Sequence, residues 1–209
     1  EVETGEPGEE GDEWLPYLVP FRQRLFTVLQ DRSRPLRARL AEFLTLCLLG
    51  DAVLADAEQE GTAPEGLLTL EGGTLSGMLP EDGIFPAGFR LLASLEVLEP
   101  DWRDVLREAG TAAPVPQDEA LLERIATYFA YRSVLKCVND GDLLGRGLYT
   151  VFLTLAAERI AAVCGLGEAL RRLSREVEHD ADNVEALLTA FREDAAFDLG
   201  CFLRELRDP

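Results

Sequence analysis

Histidine, lysine and methionine are nearly missing from this 209-residue chain: His179 and Lys136 are the only residues of their kinds, and there is one methionine. A single histidine excludes any multi-histidine metal site. Cys47, Cys137, Cys164 and Cys201 are far apart, with no CxxC pair. That excludes zinc-finger spacing, and the four read as small apolar residues of a reduced core, with no metal ligand among them. No apolar run approaches the ~18–20 residues that a membrane span needs, and no charged start precedes an apolar signal core. The expected location is the cytoplasm. Basic residues are few: 20 against 39 acidic ones, a net charge of -19. Phosphate recognition relies on Lys and Arg, so this balance argues against a nucleic-acid partner and against an anionic membrane surface. Gly-rich phosphate loops, the strand–GxGxxG fingerprint and GxSxG are also absent.

What is present is ordinary for a globular chain: 47% hydrophobic and 28% charged residues. Residues 1–13 hold seven acids, no base and one apolar side chain. They read as a disordered acidic linker. Residues 14–209 read as a single all-α domain, with a possible subdivision at the TAAPVP break near 111–116. Leu18, Phe21, Leu25, Val28 and Leu29 fall on one helix face. Ser33 is the expected N-cap of a second helix, with Pro35 in its first turn. Glycine and proline crowd residues 58–88. That stretch reads as an irregular covering loop, with a weaker possibility of a hairpin through 67–70 and 74–75. Gly72–Gly77 is glycine-rich but lacks a following helix start. Short helices are expected over 89–98 and from Pro100 to a stop at Gly110. A long helix is expected over 117–138, then one from Leu144 to near Gly165, a third over 167–178, a fourth capped by Asp180 or Asp182, and a last over 198–206. The fold class is mostly α: a helical bundle of about seven to nine helices with one Gly/Pro-rich irregular loop.

Two polar clusters are candidates for chemistry. Tyr128, Arg132 and Lys136 stand at four-residue steps on one helix face, followed by Asp140 and Asp142. The cluster reads either as a solvated helix end with an Asp-Gly turn or as the floor of a polar pocket. The second cluster runs from Ser174 to Asn183. Here His179 lies among Glu176, Glu178, Asp180 and Asp182. It is either a solvated histidine at a helix end or a proton acceptor whose basicity its acidic neighbours raise. A third group, Arg22, Arg24, Arg32, Arg34, Arg37 and Arg39, is expected to pair with the protein's own acids, the N-terminal segment among them.

Four stretches resemble the flagellin lysine-N-methylase family. They are Phe21–Phe26 with Leu29–Arg32, Leu95–Trp102, Tyr128–Arg132 through Lys136 to Leu144, and Ser174–His179 through Asn183 to Leu187. The resemblance runs from about residue 18 to 200. It implies a bacterial enzyme that transfers a methyl group from S-adenosylmethionine to lysine side chains of flagellin or another protein. The family's N-terminal cysteine cluster, thought to hold an iron–sulfur cluster, has no counterpart here. This chain would correspond to the helical C-terminal region, expected not to act alone. Lysine methylation needs a deprotonated amine and a site for the cationic sulfonium, which carboxylates and aromatic faces suit. On that reading Tyr131, Asp142 and His179 are the catalytic candidates. Tyr128, Arg132, Lys136, Asp140, Glu176, Glu178 and Asn183 are the candidate substrate or cofactor pocket. The alternative is a non-catalytic all-α module that docks a partner.

Overall fold

A computed structural model describes residues 12–73, 80, 83–113 and 115–207. Among them the chain is helical, with no strand, as the periodicity predicts. The acidic linker lies outside the described residues up to residue 11, and Asp12–Trp14 form a 3-10 turn. The helices are α1 (Leu15–Leu29), α2 (Leu36–Glu60), α3 (Phe85–Ser94), α4 (Trp102–Thr111), α5 (Glu119–Ser133), α6 (Cys137–Asp140), α7 (Leu143–Cys164), α8 (Leu166–Leu173), α9 (Ala181–Glu193) and α10 (Leu199–Leu206).

Helix α7 is the axis of the fold. Leu148, Val151, Phe152, Leu155 and Ile160 are buried on every side of it, and α2, α4, α5, α8 and α9 all pack against it. A helix that is apolar all round belongs in an interior. By length and apolarity alone α7 is also the one described helix that could cross a membrane, but 72% of its apolar window is buried inside the protein. Its contact with α2 is close. A Cβ at Gly147 would lie 2.8 Å from the Cys47 sulfur, so the two helices approach at a spacing only glycine permits.

Several boundaries differ from expectation. Ser33 does not cap α2. Asp31 Oδ1 accepts from both the Ser33 amide and its hydroxyl, forming a side-chain turn, and Pro35 holds the cap position. The short helix expected over 89–98 begins instead at Phe85, with Pro86 in its first turn, and ends at Ser94. Helix α4 runs through Gly110 to Thr111, since one glycine costs a helix only ~1 kcal/mol. The long helix expected over 117–138 is broken into α5, a 3-10 turn at Val134–Lys136 and α6. Ser133 sits at the break. Its hydroxyl bonds back to the Phe129 carbonyl and across to Thr150, a pattern that bends helices. Gly141, at φ +67°, then turns the chain into α7. The first arm of the possible hairpin is a 3-10 turn, Glu65–Leu68, and residues 74–79 lie outside the described residues.

Candidate functional site

The four stretches singled out in the sequence touch one another in series. The Arg22 guanidinium lies 5.0 Å from the centre of the Tyr131 ring. Tyr128, one turn earlier on α5, donates a long hydrogen bond of 3.5 Å to Glu178. Glu176 and Asn183 reach from the last stretch to the turn between α3 and α4. Residues far apart in sequence thus form one continuous region, but its two ends behave differently.

The inner end is a clamp. Between α8 and α9 the backbone widens into a π-helical turn, Ser174–Glu178, in which the His179 amide bonds to the Ser174 carbonyl. The extra residue per turn faces Glu176 inward, where it is 1% exposed. Its carboxylate accepts from the amides of Leu98 at 2.7 Å and Glu99 at 2.9 Å. Asn183, 4% exposed, accepts from the Glu96 amide and donates to the Glu96 and Glu176 carbonyls. Outside this pair, Arg171 and Arg172 from α8 bind Glu99, Asp101 and Glu168. Arg171 hydrogen bonds hold the Glu99 and Glu168 carboxyls below their ordinary range, Glu168 at about 2 with Arg172 adding to the effect. The irregular turn 95–101 has no backbone ladder, and these side chains satisfy its amides instead.

The start of α7 is likewise committed. Asp142 caps the helix by accepting from the Gly145 amide at 2.7 Å and pairs with Arg192 at 3.0 Å. Asp140 pairs with Arg146, a residue 8% exposed. Asp51 of α2 accepts from the Leu144 amide at 2.9 Å. Burial, then repulsion from Asp142 and Asp140, raises the Asp51 carboxyl.

The outer end is free. Tyr128 and Tyr131 are 46% and 60% exposed. Arg124, Tyr128 and Arg132 follow at four-residue steps on α5, but Lys136, expected on the same helix face, falls in the 3-10 turn beyond the break at Ser133; all four are exposed. No ion pair joins Arg22, Arg124, Arg132 or Lys136 to a carboxylate among the described residues. The N-terminal arginines mostly do pair, as expected: Arg32 and Arg39 with Glu123, Arg34 with Asp31 and Glu42, Arg37 with Glu158. Arg22 instead rests on Phe26 and Tyr131.

The catalytic candidates Tyr131, Asp142 and His179 have different neighbours. Tyr131 carries Arg22, Asp142 serves the start of α7, and His179 is exposed with no side-chain hydrogen bond among the described residues. The donor set does not fit S-adenosylmethionine. Asp140, Asp142, Glu176 and Asn183 are each already engaged by protein partners. Of the expected pocket only Tyr128, Glu178, Arg132 and Lys136 keep polar groups to offer. The cysteines do not form a cluster site among the described residues either: Cys47, Cys137 and Cys201 are buried and Cys164 is half-buried. Burial pushes the Cys137 thiol up to about 12. No group of His, Cys, Asp and Glu among the described residues is arranged to hold a metal ion.

A shallow groove of about 500 Å3 runs along α9, lined by Asp182, Glu185, Glu193 and Asp194 over Ala186 and Ala190. Glu185 is paired with Arg192, and Asp194 caps the next turn. Sequence reasoning missed Tyr149. It is 5% exposed, and burial and the Glu178 charge raise its hydroxyl. It lies within a core helix, where an apolar pattern conceals it. Arg124 was also missed, although its spacing from Tyr128 continues the stripe.

No match was found. No family model, curated protein or solved structure matches the chain.

Proposed function

We propose that this chain is an all-α docking module that engages a protein partner through the outer face of α5. The observation that carries the reading is the pair Tyr128 and Tyr131, held exposed side by side on a helix whose opposite face is fully buried. Tyrosine and arginine are the side chains enriched in interfaces and their hot spots. They lose little conformational entropy on contact, and Arg22 already stiffens the Tyr131 ring. Packing on α7, α1 and α2 positions this face, so little ordering is left for association. A photo-crosslinking residue at Tyr131 tests it, with Leu49 of α2, 37% exposed, as the comparison. In the native host a discrete adduct is expected from position 131 and none from position 49. Equal labelling at both, or none at 131, overturns the reading.

A second reading is favoured by the contact between Tyr128 and Glu178, which joins the two polar clusters. Two tyrosines and a carboxylate suit a lysine ammonium. On the family resemblance, the chain would be the substrate-holding helical part of a protein-lysine N-methyltransferase, with flagellin or another lysine-bearing protein as substrate. The methyl donor would then be bound by other residues, since the donor set here does not fit it. The reading predicts calorimetric binding of a lysine peptide that Glu178→Gln abolishes, and no binding of S-adenosylmethionine to this chain.

A further inference from the structure

The lysine reading calls for a cationic ligand, and the charges on the outer face of α5 favour the opposite sign. Arg124, Tyr128 and Arg132 form an exposed line on α5, with Lys136 exposed in the 3-10 turn that follows, Tyr131 and Arg22 beside them and the Glu178 carboxylate at the Tyr128 hydroxyl. Elsewhere most exposed arginines find a carboxylate: Arg107 with Asp104, Arg171 with Glu99 and Glu168, Arg192 with Asp142 and Glu185. Arg90, Arg103, Arg204 and Arg207 are also exposed with no ion pair among the described residues, so what marks this patch in a chain of net charge -19 is that Arg124 and Arg132 share one helix with two exposed tyrosines.

We propose that this line is the binding surface for an acidic segment of a partner protein, one that places carboxylates over Arg124, Arg132 and Lys136 and an apolar side chain against Tyr128 and Tyr131. The inference rests on the docking reading above and names its partner class. Charge complementarity supplies the argument. Surface charges act over a Debye length of about 8 Å at physiological salt, so the local stripe outweighs the distant acidic surface for a short segment. A long polyanion such as RNA reaches beyond the stripe into the acidic remainder and is repelled. Guanidinium groups also bind carboxylates in two-point geometry, which gives register along the helix.

The test is fluorescence anisotropy of the whole chain with a labelled peptide of glutamate and leucine at helical spacing. Matched lysine–leucine and single-stranded oligonucleotide probes run in parallel. The proposal predicts binding of the acidic peptide alone, weakened by salt. It also predicts a loss of roughly tenfold or more in Arg124→Glu/Arg132→Glu, with no change in Arg90→Glu, an exposed arginine on α3. Melting curves of each variant establish that it is folded. No acidic-peptide binding, or binding that both charge reversals affect equally, overturns the proposal. So does preferential binding of the lysine probe or of the oligonucleotide. A position-131 adduct together with no acidic-peptide binding would leave the docking face standing and reject only the acidic partner.

Discussion

Glu176 and Tyr131 lie in the same polar region and look equally promising in the sequence, yet their surroundings are opposite. Glu176 is 1% exposed and spends its carboxylate on two backbone amides. Tyr131 is 60% exposed, and its ring meets one guanidinium. Saturation separates the two. A polar group whose bonds are all made inside the protein is scaffold; one left open on a rigid face is free to meet something else. The clamp holds the turn 95–101 against α8 and α9, while α5 is held separately by its packing on α7, α1 and α2.

The largest expected effect lies just behind that face. Arg39, 1% exposed, and Arg32 share Glu123, with bonds of 2.8 and 2.9 Å. Arg39 also donates to the Leu29 carbonyl at the end of α1. Glu123→Ala strands a buried guanidinium and is expected to cost about 3–5 kcal/mol in denaturant melts. A cost below about 1 kcal/mol would mean that the pair does not organise α1, α2 and α5.

Next comes the clamp. Glu176→Ala leaves two backbone amides without acceptors and is expected to cost about 2–4 kcal/mol, with amide exchange rising first at residues 96–99. Tyr128→Ala and Tyr131→Ala sharpen the contrast, because exposed sites fall within about 0.5 kcal/mol of wild type. If Tyr131→Ala melts as early as Glu176→Ala, scaffold and face are not distinct.

Acid titration gives a smaller effect. Arg171 and Arg172 hold the Glu99, Asp101 and Glu168 carboxyls below their unfolded values. Their contribution is complete above the unfolded values near pH 4 and is lost as pH falls through the folded ones, the last near 2 for Glu168. Melts between pH 5 and 2 are therefore expected to show falling stability, with a shallower fall at high salt because these pairs face solvent. Asp51 runs the other way. Its carboxyl is raised by burial and by Asp142 and Asp140, so its charge opposes folding at neutral pH. Asp51→Asn keeps an acceptor for the Leu144 amide and is expected to stabilise slightly at pH 7 and not at pH 3.

Much of the scaffold is legible in the sequence because apolar spacing records it. Leu18, Phe21, Leu25 and Leu29 are the buried face of α1, as their three- and four-residue steps predict. Asp180 caps α9 by accepting from the Asn183 amide. The break at Ser133 was not legible, since it depends on Thr150 of another helix. Nor was the division of the polar residues. Nothing near Glu176 in sequence announces Leu98 and Glu99, which reach it only through the fold. Tyr128 and Arg132 were legible as a spacing, and their exposure follows from the opposite face of α5 being buried; that Lys136 leaves this helix was hidden with the break at Ser133.

The most direct measurement pairs binding with folding in one sample. The Tyr128→Ala/Tyr131→Ala double variant is titrated with the labelled acidic peptide, and its melting curve is recorded alongside. The account predicts a wild-type melt and lost binding. Binding retained at wild-type strength, or a melt that collapses with it, would contradict the claim that this face is built for a partner and not for the fold.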